Sequence, residues 1–172
     1  MAAPVCSWAP LFLQWGLMEN ANNILLASHG TEGAQAAEQR ALELCSKGGH
    51  LHHLIVVPKA LWEGMTGDDW LNNGSTRDTF RRYVEGQLQQ EVEEHQARVS
   101  DAAKTKELNY TSEVIVGEPE ESLINASKKE QFDLLIMGSP RPKGKTGLRS
   151  RMLTDSTRGL PITTVIVPYP DE

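Results

Sequence analysis

One hundred and seventy-two residues, 39% of them apolar, are enough for one domain with a buried core and too few for two ordinary ones. Seventeen basic side chains stand against 23 acidic ones, and the net charge of -6 argues against broad electrostatic binding to nucleic acid or an anionic membrane, so any anion site must be local. Two cysteines, Cys6 and Cys45, with no convincing secretory signal, fit neither a disulfide framework nor a cysteine zinc site and point to the reducing cytoplasm.

Residues 1–19 read as an apolar extension, and residues 20–172 as the single domain. Thirteen of the first eighteen residues are apolar, but no basic region or small-residue cleavage site accompanies them. Pro4 and Pro10 also break any span, which needs about 20 apolar residues. Met18 precedes a polar lead-in, Glu19 to Asn23, so translation from Met18 would leave the domain whole. The extension is expected to be an appendage, with a peripheral membrane or partner contact as the alternative.

Ile24 to Ala27 has the composition of a short buried strand. Thr31-Glu32 opens a helix whose apolar side is Ala34, Ala37, Ala41, Leu44 and Cys45, and Gly48-Gly49 is expected to stop it. Leu54 to Val57 is a second strand closed by Pro58. Lys59 to Asp78, with Trp62 and Trp70 and no sustained period, reads as a long loop or lid. The longest helix follows, with Phe80, Val84, Leu88, Val92, His95, Val99 and Ala102 on one stripe. Val114 to Val116 is a third strand. Pro119 with Glu120 and Glu121 then forms a first helical turn, where a missing amide is harmless and carboxylates meet the positive dipole end. Leu134 to Met137 is a fourth strand, Leu148 to Thr157 a helix, and Thr164 to Val167 a fifth strand.

Alternating helices and strands, with strands that are apolar throughout, predict an α/β fold: a five-stranded parallel open sheet, doubly wound, with helices on both faces. Ligands of such sheets bind beyond the carboxyl ends of the strands, where the strand order reverses. Those ends offer Ala27, Ser28, His29 and Gly30 after the first strand, Val57 after the second and Gly117 after the third. Met137, Gly138 and Ser139 follow the fourth.

At these positions the chain resembles the universal stress protein family. Ile24 to Glu32 corresponds to a first strand that in the family runs into Asp-Gly-Ser. Val114-Ile115-Val116-Gly117-Glu118-Pro119 and Asp133-Leu134-Leu135-Ile136-Met137-Gly138-Ser139 carry the most specific likeness. The resemblance implies a homodimer and, in one branch, an ATP site beneath a Gly-x2-Gly-x9-Gly-Ser/Thr loop. Counted from Gly138, the later loop positions fall on Arg141, Arg151 and Met152, so only the first matches, and the family's first-strand aspartate falls at His29. Glycines let backbone amides approach phosphates closely, and arginine adds bulk in their place.

Ser139 to Thr146 is one residue short of a P-loop, but Pro140 and Pro142 each remove an amide that a phosphate cradle needs. The stretch from Ser139 to Arg158 is instead notable for charge. It carries six basic residues and one acid, including Arg141, Lys143, Lys145 and Arg151. This is either a solvated loop or an anion site. His50, His52 and His53 lack the neighbours of a tetrahedral metal set and read as polar strand-end residues, and His95 as a partly buried packing residue. No serine sits in a nucleophile elbow, so no catalytic residue is assigned.

Three functions compete. The first is a non-catalytic, universal-stress-type regulatory protein with a degenerate nucleotide site and a basic anion-binding loop. The second is a genuine binder of ATP or another adenine nucleotide, with slow or no hydrolysis. The third is a membrane-peripheral adaptor that uses residues 1–18. The final strand, around Val165, is expected at a sheet edge that must be covered or paired, and the resemblance suggests pairing with its copy.

Overall fold

The structure, a computed structural model, describes residues 21–28, 32–58, 74–139 and 160–170. Among them the elements run β1 (Ala21–Ser28), α1 (Glu32–Leu44), β2 (Cys45–Pro58), α2 (Gly74–Thr105), β3 (Asn109–Gly117), α3 (Pro119–Lys129), β4 (Leu134–Gly138) and β5 (Thr163–Val167). All strand pairs are parallel and the sheet order is β3-β2-β1-β4-β5. The order reverses between β1 and β4, beside Ser28 and Gly138, the position at which sheets of this kind take ligands.

Each face of the sheet has its own core. Ile24 and Leu26 of β1, Leu51 of β2 and Ile136 of β4 meet Ala37 and Ala41 of α1 and Val99 and Ala103 of α2. Leu25, Ala27, Leu54, Val56, Leu135 and Met137 point the other way, onto Leu123 and Ala126 of α3. Successive residues of β1 and β4 are buried because both faces are covered, which is why these strands show no polar alternation. At the amino end of the sheet, Asp133 Oδ2 accepts the amides of Asn22 and Asn23 at 2.8 and 2.9 Å and ties the start of β4 to that of β1.

α1 lies close to the sheet because its inward side is mostly alanine: Ala34, Ala37 and Ala41 are all buried. At its start the backbones of Gly33 and Gly138 come together. A Cβ placed on Gly138 would run into the Gly33 carbonyl oxygen. α3 begins with Pro119, carries Glu120 and Glu121 in its first turn, and ends with Lys128 and Lys129, each charge suited to its dipole end.

Several sequence expectations need correction. Gly48-Gly49 does not stop α1, which ends at Leu44, and Cys45 already belongs to β2. Between Ala21 and Asn23 the β1 register jumps from Cys45 to His50, so Ser46 to Gly49 are an irregular excursion that Gly48 enables at φ 77°. The long helix starts at Gly74, inside the stretch expected to be loop, because a polar first turn carries no apolar period. Its inner stripe continues through Ala103, which is buried, rather than Ala102. β3 begins at Asn109, five residues before the apolar run, since an edge strand keeps polar residues in its ladder. The helix expected over Leu148 to Thr157, Trp62 and Trp70, and residues 1–19 lie outside the described residues.

Candidate functional site

Of the expected ligand-facing residues, Ala27, Ser28, Val57, Gly117, Met137, Gly138 and Ser139 are described. His29, Gly30, Arg141, Lys143, Lys145 and Arg151 lie outside the described residues. The described ones do gather at the carboxyl ends of four strands. Ala27 pairs with Met137, Ser28 with Ile55, and Val57 with Val116 one step below Gly117. The side chains of Ala27 and Met137 belong to the core under α3, so these residues can offer a ligand only backbone. Gly138 and Ser139 are partly exposed. The Ser139 amide donates to the Val167 carbonyl at 2.7 Å, fixing the turn that leaves β4.

Ser28 is fully buried and faces inward, toward a polar layer that the sequence reading did not assemble. Its Oγ donates to Glu38 Oε1 at 2.5 Å and lies 3.0 Å from His95 Nε2. His95 Nε2 is 3.1 Å from the same carboxylate oxygen. Arg98 Nη2 reaches both Glu38 Oε2, at 2.8 Å, and His95 Nδ1, at 2.7 Å. Beside this group His53 Nδ1 meets the Tyr110 hydroxyl at 2.9 Å, and the rings of His53 and His95 meet edge to face with centroids 5.1 Å apart. His53 Nε2 is buried with no hydrogen-bond partner.

The donors fix the protonation pattern. A guanidinium cannot accept a hydrogen bond, so Nδ1 of His95 must, and the ring proton sits on Nε2, aimed at Glu38 with Ser28 Oγ alongside. Serine, histidine and glutamate together have the composition of a hydrolytic triad, but not its wiring. Nε2 already holds a proton and cannot take one from Ser28, and the serine donates to the carboxylate directly. With Ser28 fully buried, this arrangement is a structural network.

Burial raises the Glu38 carboxyl above its ordinary range, against the lowering pull of Ser28 and Arg98. Burial lowers His95 to about 4, assisted by Arg98. It lowers His53 to about 3, with His95, His52 and Arg98 adding to the effect. Burial likewise raises the Tyr110 phenol.

Two sequence assignments change here. His53 is an interior residue of β2, fully buried, rather than a polar strand-end one, and His95 is a hydrogen-bonding hub rather than a packing residue. Glu38 was missed, although a signal existed: it lies four residues after Ala34 and three before Ala41, on the apolar side of α1, where a charge must have a partner. Arg98 follows from the same spacing, three residues after His95. His50 and His52 do share a face, and both contact Thr111 Oγ1, at 2.7 and 2.9 Å. Among the described residues no group of three His, Cys, Asp or Glu side chains is arranged to hold a metal, and no helix is long and apolar enough to cross a membrane.

A parallel sheet covered on both faces, with its strand order reversing between β1 and β4, defines the class of doubly wound α/β domains. The profile of the universal stress protein family matches residues 20–160, and the chain belongs to that family. Three solved structures share its fold. The hypothetical protein MJ0577 is 18% identical, with a TM-score of 0.63 over 90% of this chain and 99% of its own. A universal stress family protein from Burkholderia pseudomallei is 16% identical, with a TM-score of 0.59 over 88% and 97%. The universal stress protein UspA from Lactobacillus plantarum is 16% identical, with a TM-score of 0.52 over 87% and 97%. No curated protein matches the chain.

Proposed function

We propose that the chain is a universal-stress-type regulatory or binding protein with a degenerate nucleotide site. It receives small anions on the basic loop bearing Arg141, Lys143, Lys145 and Arg151 and does not turn over ATP. The observation that carries this reading is the inward turn of Ser28. The hydroxyl at the tip of β1 is held by Glu38 and His95, so it is not presented to a ligand. Charge recognition is thereby left to the loop after β4, whose arginines replace the glycines of a close phosphate cradle.

The protein acts as a homodimer through β5, around Val165, in the cytoplasm. Support comes from the edge position of β5, the 47% exposure of Ile166 and the free buried thiol of Cys45. Calorimetric titration with ATP tests the site. The expected affinity is no tighter than about 0.1 mM, roughly -5.5 kcal/mol, weakening with salt and with Arg141→Ala. Submicromolar binding that survives both high salt and Arg141→Ala would instead establish a genuine ATP-binding member.

A further inference from the structure

Ser28, Glu38, His53, His95, Arg98 and Tyr110 come from β1, α1, β2, α2 and β3 and meet in one layer. We propose that this layer is an acid-sensitive latch that holds α2 on the sheet. Among the described side chains of α2, His95, Val99 and Ala103 are buried and Leu88 and Val92 only partly so, which makes His95 the first fully packed contact of that stretch. α1, by comparison, buries Ala34, Ala37, Glu38, Ala41 and Leu44 over the middle of the sheet.

The latch depends on both imidazoles being neutral. A second proton on His95 would sit on Nδ1 and place two donors, its own N–H and that of Arg98, 2.7 Å apart. A second proton on His53 would create a buried cation whose Nε2–H has no acceptor, beside the His95 ring. Among the described residues the carboxylate of this layer is Glu38, 3.1 Å from His95 Nε2, and no acidic side chain hydrogen-bonds to His53. β1 contributes the uncharged Ser28, β2 adds His52, and β3 adds the Tyr110 hydroxyl. α1 brings Glu38, which Arg98 of α2 already engages.

The sign follows from where each proton binds. Both imidazoles are held below the ordinary 6.5 while docked, to about 4 and about 3, and return toward 6.5 when α2 leaves. The docked form therefore loses stability as pH falls through 6.5, and the loss is complete near 3 to 4. Glu38, raised from 4.5, works in the opposite direction but sets one proton against two. At pH 5 each released imidazole favours the open form by roughly thirtyfold.

Hydrogen exchange on the full chain at pH 7 and pH 5, corrected for intrinsic rates, tests the latch. Amides of residues 87–103 should lose at least tenfold protection at pH 5 while β1, β4 and α3 keep theirs, and His53→Phe should shrink that loss. Unchanged protection of α2, or loss shared equally with β1 and β4, would overturn the proposal, as would an identical response in a folded His53→Phe. Imidazole NMR titration of the unaltered chain gives a check independent of the variant. His53 and His95 should take up protons over the same pH interval in which α2 loses protection, and titration with protection intact would refute the latch.

Discussion

Glu38→Ala is expected to destabilise the fold by about 3 kcal/mol, read as a shift of the urea unfolding midpoint at pH 7. The carboxylate is the shared acceptor of Ser28, His95 and Arg98. Its loss leaves the buried Ser28 hydroxyl without an acceptor, at about 1 to 3 kcal/mol, and the His95 ring N–H with only Ser28 Oγ in place of a carboxylate. Arg98 limits the damage. Its side chain is 51% exposed and can turn its charge to water, so the cost stays at the low end for a broken buried pair. Glu38→Gln keeps one acceptor oxygen and should cost about half as much. A loss below about 0.5 kcal/mol for Glu38→Ala would mean that the network does not fasten α1 and α2 to the sheet.

Gly138→Ala should cost a similar amount, about 3 kcal/mol, at the upper end for forced overpacking. The new methyl group would run into the Gly33 carbonyl group, and backbone on both sides cannot swing aside as a side chain can. Gly33→Ala is the milder control. Its Cβ would meet the Ser139 oxygen at 2.9 Å and the Tyr169 ring at 3.1 Å, and the ring can move. Thermal unfolding of the two variants should therefore rank Gly138→Ala below Gly33→Ala. Equal melting temperatures would show that the start of α1 gives way more easily than its contacts suggest. The physical requirement at Gly138 is close approach of helix to strand, so a glycine there is needed whether or not a phosphate ever lies above it.

The parallel, two-faced layering was readable because burial on both faces writes itself into the sequence as unbroken apolar runs. Ile24 to Ala27 and Leu134 to Met137 are central strands, and their cores lie where those runs placed them. Edges were less legible. Asn109 to Glu113 pair along β2 with polar side chains, which leave no hydrophobic period to read. The gathering of the strand ends was legible, but the network beneath them was not. Ser28 stood among the expected strand-end residues, yet its partners Glu38 and His95 are 10 and 67 positions away, and Arg98, which joins those two, is 70 away. Their meeting depends on how α1 and α2 cross the sheet, a long-range relation that helical spacing hints at and cannot fix. The basic loop was legible only as composition, since charge density alone does not say which way side chains turn.

Native mass spectrometry of the chain as purified, before and after addition of micromolar ATP, most directly tests the reading of a degenerate site on a dimeric stress-family fold. The expected spectrum is a nucleotide-free dimer in both cases, with adducts emerging only as ATP approaches the order of 0.1 mM. A stoichiometric adenine nucleotide retained through purification would contradict that reading and make the loop after Gly138 a working phosphate cradle.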